Sequence, residues 1–370
     1  MNTLQSLHPL PNSAEKTASF EVQEIEAFLK HQSSSACISK GGQNKVHPQH
    51  AIEFKRSTFS VTFKPKYATD NVTIELRYLW VGEAGAPTLV VQGGISANRD
   101  VLTLQPNESP GWWQEMVGAH KSLDLNTYQV LAIDWLTSTD LHSQLVSTED
   151  QAEVLFLLTQ HLQIVCLHAL IGCSYGAMVG MAFAHQHPQH LNKLILIAGA
   201  HRPHPLATAQ RCIQREMVRF GLDTGQAERA LSLARQLAIT TYRGRDEFGQ
   251  RFAGGPEWKD ERFQFPVESY LDYTGRRFVE RFTPEQFLSL SQSIDLHDIW
   301  PEKVLTHTLI IGFSSDLLVP FTDLVELHKR LKGKTTLIEL DSPYGHDAFL
   351  KETTQLTPLL TDFLAQPDLT

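Results

Sequence analysis

Eight short runs rich in Val, Ile and Leu punctuate the chain from Thr58 onward: TFSVTF, TIELRYLWV, TLVVQGG, YQVLAIDWL, IVCLHALIG, LNKLILIAGA, THTLIIGFSSD and TTLIELDS. The first two alternate like paired strands, with ATDN as the break between them. The others suit strands buried on both faces of a parallel sheet. Helical patterns separate several of the runs. STEDQAEVLFLLTQHL opens with Ser147 and Asp150 at capping-box spacing, Asp standing where Glu is usual. Such alternation predicts an α/β fold around a mostly parallel sheet.

The alternation stops between about residues 201 and 300. That stretch is helical in pattern, rich in Arg and aromatic residues, and has no sheet-like run. An insertion that leaves a sheet and returns to it should lie over the sheet's carboxyl edge, where open α/β sheets bind ligands, so it reads as a lid. Residues 1–55 are weakly patterned, with one short helix expected over EVQEIEAFLK, and read as a loosely attached extension. The expected division is therefore an extension over 1–55, a core over 56–200 and 301–370, and a helical lid over 201–300.

Gly172-Cys173-Ser174-Tyr175-Gly176 fits G-x-S-x-G, with a strand before it and a helix after it. That is the setting of a nucleophile elbow. Taken alone, the motif also fits a tight turn with an incidental serine. A serine hydroxyl needs a base and an orienting acid. In this fold the acid and then the histidine follow the serine in chain order. Asp316 stands just past a late apolar run, and His346 follows the last one. Singly, Asp316 reads as a helix cap and His346 as one loop histidine among 17. In order, each at a strand end, Ser174, Asp316 and His346 read as nucleophile, acid and base. Cys173, the neighbouring thiol, reads as packing. An oxyanion hole needs two backbone N–H groups. Tyr175 should supply one, and Gly94 or Ile95 the other; an ordinary glycine turn explains the latter pair as well.

A net charge of −9 without a Lys/Arg stripe argues against a nucleic-acid partner. No apolar run reaches the roughly 18 residues of a membrane span, and the first residues do not read as a secretory signal. The four cysteines, Cys37, Cys166, Cys173 and Cys212, lack metal-type spacing. They read as reduced thiols in a cytoplasmic protein without a metal site.

Five stretches, in order, resemble the homoserine O-acyltransferases of the α/β-hydrolase superfamily: GWWQEMVG, GCSYGAMVG, LARQLAITTYRGRDEFGQRF, VESYLDYTGRRFVERF and YGHDAFL. The resemblance implies an α/β-hydrolase core under a helical lid. It implies transfer of an acetyl or succinyl group from coenzyme A to the hydroxyl of L-homoserine, by way of an acyl-serine, in methionine biosynthesis. Acyl-CoA is then a co-substrate, with no bound cofactor. Ser174, Asp316 and His346 match the family's catalytic positions. Arg243, in the TYR motif, matches a contact to the amino acid, and Asp347 a contact to its ammonium. A zwitterion needs such a fixed cation and anion. Without the resemblance, Arg243 reads as a surface residue on a lid helix and Asp347 as a helix cap.

The first oxyanion loop reads GGISANR where the family has LTG followed by a histidine, and DWLTSTD replaces a Gly-Ser-Thr-Gly-Pro stretch. The chain therefore reads as a divergent branch. L-serine is a second acceptor, an ester or thioester hydrolase a second activity, and a non-catalytic binding protein a third reading. The resemblance also implies a homodimer through the lid; Phe278, Phe282 and Phe287 could serve it or pack within the lid. Arg211, Arg215 and Arg219, spaced by four, form one helix face, with Leu206, Ile213, Met217 and Phe220 on the other. The arginines read either as contacts for coenzyme A phosphates or a succinyl carboxylate, or as a solvated face.

Overall fold

The eight apolar runs become the eight strands of one sheet. The structure is a computed structural model and describes residues 53–142, 144–259 and 261–368. The extension expected over 1–55, its short helix and Cys37 therefore lie almost wholly outside the described residues. In chain order the sheet begins with β1 (Glu53–Phe63), β2 (Val72–Gly82) and β3 (Thr88–Gln92). A two-residue pair, β4 (Val117–Gly118) and β5 (Leu123–Asp124), lies apart from it. The sheet continues with β6 (Gln129–Ile133), β7 (Leu167–Cys173) and β8 (Leu191–Ile197). A second small pair, β9 (Glu257–Lys259) and β10 (Arg262–Gln264), precedes β11 (His307–Phe313) and β12 (Thr335–Leu340). The spatial order is β1-β2-β6-β3-β7-β8-β11-β12. β1 pairs antiparallel with β2, and β2 with β6; every later pairing is parallel.

Period-two alternation divides the core. Val90, Leu131, Leu170, Leu194 and Ile310 face one side of the sheet. There they meet α1 (Thr148–His161) and α2 (Tyr175–Gln186). Leu89, Val91, Ile171, Ile197 and Ile311 face the other side, with Leu356, Leu360 and Phe363 of the C-terminal helix. α1 begins with the expected capping box: the Asp150 N–H donates to Ser147 Oγ, and the Ser147 N–H donates to Asp150 Oδ2.

Between β8 and β11 the chain forms α3 (Pro205–Asp223), α4 (Ala227–Tyr242), α5 (Arg245–Arg251), α6 (Pro266–Val279) and α7 (Pro284–Asp295). Two expectations need correction here. The segment does contain a sheet element, the β9–β10 hairpin. Its strands are three residues each and largely exposed, with a single aromatic in each, too short for a hydrophobic pattern to announce them. The arginines of α3 do not form one surface either. Arg211 and Arg215 point inward and share Asp295 of α7, each at 2.6 Å. Arg215 also donates to Ser291 Oγ and to its carbonyl oxygen. Only Arg219 stays outside, paired with Glu216. With Arg211 and Arg215 turned toward the half-buried Asp295, Leu206, Ile213 and Phe220 are the exposed side of the helix. Phe278 and Phe287 are buried in a small core of the insertion, and Phe282 packs against it. Beyond β11 come α8 (Phe321–Arg330), α9 (Ala348–Lys351) and α10 (Thr353–Leu364).

Candidate active site

β7 ends at Cys173 and α2 starts at Tyr175, so the whole reversal falls on Ser174, at φ 55° and ψ −115°. This is a left-handed φ that a non-glycine residue adopts at a cost of about 1–3 kcal/mol. Close packing holds it. A methyl group on Gly172 would collide with the Gly176 carbonyl, and one on Gly176 with the carbonyl of Gln92. Gly199, which the motif does not include, is required as well, because a side chain there would meet Ala177 and the Ser174 carbonyl oxygen. The Ser174 N–H donates to Ile197 O at 2.8 Å. The Cys173 side chain is fully buried, and burial pushes its thiol well above the usual range, which removes it as a nucleophile.

Asp316 follows β11. Its Oδ1 accepts the N–H groups of Leu318 and Val319 at 2.8 and 3.0 Å. Its Oδ2 lies 2.7 Å from His346 Nδ1, and His346 Nε2 lies 2.7 Å from Ser174 Oγ. An ionised carboxylate can only accept, so Nδ1 carries the proton. Nε2 is then left to accept from the serine hydroxyl. Burial opposes charge on the ring, yet the charge and hydrogen bond of Asp316 prevail and hold the His346 pKa above its ordinary 6.5. The three side chains thus form one hydrogen-bonded chain across three strand ends.

Gly176 N–H donates to Gly93 O at 2.9 Å, and the Ala177 and Met178 N–H groups point at Ser174 O. Among the described residues, the N–H groups of Tyr175 and Ile95 have no hydrogen-bond partner. A methyl built on Gly94 would sit 3.9 Å from Ser174 Oγ, so this loop lies within contact distance of the serine hydroxyl.

Arg243 and Asp347 come together. Arg243 Nε lies 3.3 Å from Asp347 Oδ2, and an Nη lies 3.4 Å from Glu247 Oε1. Neither Arg243 nor Asp347 is a surface residue; their side chains are 17% and 15% exposed. Arg243 Nε and Glu247 Oε2 are buried without a hydrogen-bond partner. The contact depends on two backbones crossing closely. Gly244, just after α4, lies against the Pro343 carbonyl with no room for a side chain, and Gly345 takes φ 61°. This crossing brings the insertion against the loop that carries His346.

Ser174, His346, Gly94, Arg243 and Asp347 all line one cavity of about 1250 Å³. Of the arginines in its wall, Arg56, Arg77, Arg211, Arg243 and Arg277 have carboxylate partners. Arg99, Arg235 and Arg281 have none among the described residues. Arg235 instead stacks on Tyr242 and Phe278, 5.1 and 4.8 Å from their ring centres. Those three cations, Trp135 and Gly199 are the parts of the site that the motifs do not reveal. No group of His, Cys, Asp or Glu among the described residues is arranged to hold a metal. No described helix is long and apolar enough to cross a membrane.

A mostly parallel sheet, a strained serine at the end of a central strand, and an acid and a histidine at the ends of later strands define an α/β hydrolase. The family model for the α/β-hydrolase fold matches residues 87–353. Within that class, the chain is 40% identical over 291 residues to a homoserine O-succinyltransferase of Xanthomonas campestris pv. campestris, covering 79% of each chain. It is 30% identical to a homoserine O-acetyltransferase of Moorella thermoacetica, over 80% of this chain and 92% of that one. It is also 30% identical to a serine O-succinyltransferase of Frateuria aurantia, over 69% of this chain and 82% of that one. The chain belongs to this family of homoserine and serine O-acyltransferases.

Proposed function

We propose that the protein moves an acyl group from coenzyme A to the hydroxyl of L-homoserine by a ping-pong reaction through Ser174. His346, oriented by Asp316, takes the Ser174 proton as Oγ bonds to the thioester carbon. The oxyanion is held by the N–H groups of Tyr175 and Ile95. The C–S bond breaks, and the thiolate leaves with the proton from His346. The amino-acid hydroxyl then gives its proton to His346 and attacks the acyl-serine carbonyl, and Ser174 Oγ regains the proton as it leaves.

The observation that carries this reading is the Arg243–Asp347 pair in the cavity of the Ser174–His346–Asp316 chain. A hydrolase has no need of a half-buried cation and anion beside its base. A zwitterionic acceptor does: its carboxylate would meet Arg243 and its ammonium Asp347. The donor reading we favour is succinyl-CoA. Three cavity arginines without carboxylate partners suit a donor that carries phosphates and a terminal carboxylate, and the relative at 40% identity bears a succinyltransferase name. Acetyl-CoA and L-serine stand as the competing donor and acceptor. The reading includes a homodimer formed through the exposed apolar face of α3. It also includes a reducing, cytoplasmic setting, which suits the free thiols Cys166, Cys173 and Cys212 and a role in methionine biosynthesis.

The test is thiol release from succinyl-CoA and acetyl-CoA, each with L-homoserine, L-serine or no acceptor, with products identified by mass spectrometry. Succinyl-CoA with L-homoserine should give the fastest release and O-succinylhomoserine. Equal release without an amino acid would instead identify a thioesterase.

A further inference from the structure

Trp135 follows β6 and belongs to none of the groups named in the reaction, yet its indole touches both flanks of the oxyanion hole. Its Nε1–H donates to the Gly94 carbonyl oxygen at 3.0 Å. Its ring meets that of Tyr175 edge-on, with centroids 4.8 Å apart. Tyr175 is fixed from its far side too, for its hydroxyl lies 2.7 Å from Ser293 Oγ of α7 and 3.4 Å from Gln151 Nε2 of α1.

The first contact sets a direction. In a trans peptide, the carbonyl of one residue and the N–H of the next point opposite ways. Gly94 O is held by the indole and by the Ala97 N–H at 2.9 Å. The Ile95 N–H, on the same peptide unit, must therefore point away from those donors, and it has no partner of its own. Nothing intrinsic to residue 94 enforces this. Glycine turns freely about ψ, so residue 94 itself offers little resistance to a flip of this peptide. A flip would present a carbonyl oxygen where the developing negative charge needs a donor.

We propose that Trp135 is a positioning residue that holds the Gly94–Ile95 peptide with its N–H toward the reacting carbonyl, and so sets the strength of the oxyanion hole. This rests on the acyl-serine reading given above. It is independent of which donor and acceptor the protein uses.

The experiment uses p-nitrophenyl acetate, which asks only for a nucleophile and an oxyanion hole. It compares the native protein with Trp135→Phe and with a protein carrying the benzothienyl isostere of tryptophan at 135, which keeps the shape and lacks the N–H. Acylation should slow by about tenfold or more in both, with KM within about twofold, as expected for a weakened oxyanion donor. The infrared carbonyl band of the acetyl-serine should move to higher wavenumber, because its hydrogen bonds weaken. A purely structural role for Trp135 would leave that band in place. Unchanged rate and band in the isostere protein would overturn the proposal, even if Trp135→Phe folds poorly. A Ser174→Ala protein that still turns over the ester at the native rate would overturn the acyl-serine reading itself, and this inference with it.

Discussion

At His346 two opposing forces meet. Burial disfavours the charged ring, and Asp316 outweighs it, so the pKa stands above 6.5. The base must be neutral to take a proton. Activity should therefore fall as pH drops through that raised pKa, with the acid limb centred above the ordinary histidine value. Asp316→Asn removes the opposing charge and leaves burial unanswered. The limb should move to lower pH, while kcat drops by about 10³–10⁴ through loss of the correct tautomer. A pH–rate profile of both proteins checks this. Arg243 is tested separately. Arg243→Ala should raise the KM for the amino acid by about tenfold or more, at the strength of a charge-assisted hydrogen bond. Acyl-enzyme formation should persist, which mass spectrometry of the intact protein would record. Much of this site is written in the sequence, because a tight elbow and strand-end polar residues leave local patterns. Trp135 is not legible, since a lone tryptophan after an apolar run looks like core. Its role depends on a carbonyl 41 residues away in sequence.

At the scale of elements, the eight strands of the main sheet were legible, while the short pairs β4–β5 and β9–β10 and the facing of α3 were not. The eight strands declare themselves because the first two alternate in period two and the central ones are apolar on both faces, each bounded by turns. An amphipathic helix declares only that its two faces differ. In α3 two of the three arginines lie inward, because Asp295 at the end of α7 pairs with both Arg211 and Arg215. No sequence pattern pairs residues 80 apart on two helices. Asp295→Ala would leave the buried Arg215 and the half-buried Arg211 without their counter-charge. Stability should fall by about 3–5 kcal/mol, the cost of breaking a buried ion pair from one side. Urea unfolding measures it. Asp295→Asn, which retains hydrogen-bonding capacity, should cost less.

For the molecule as a whole, the inversion of α3 has an outward cost. Leu206, Ile213 and Phe220 are 58%, 57% and 70% exposed on one helix. Apolar side chains exposed along one helix stripe suit the dimer of the proposed function. Sedimentation velocity at micromolar concentration should show a dimer. Ile213→Glu combined with Phe220→Glu should give monomers whose triad still forms the acyl-enzyme. Monomeric native protein would remove the dimer from the proposed function.

The crossing of Gly244 and Gly345 also bears on how such a protein is inherited. In the proposed function the cation for the acceptor, Arg243, belongs to the insertion, while its anion, Asp347, follows His346 in the core. A chimaera that exchanges residues 205–295 with a relative would import a new Arg243 and keep the host's Asp347. Acceptor preference is thus assembled from two heritable pieces. They can drift only as a compatible couple, and recombination at the obvious module boundaries would separate them.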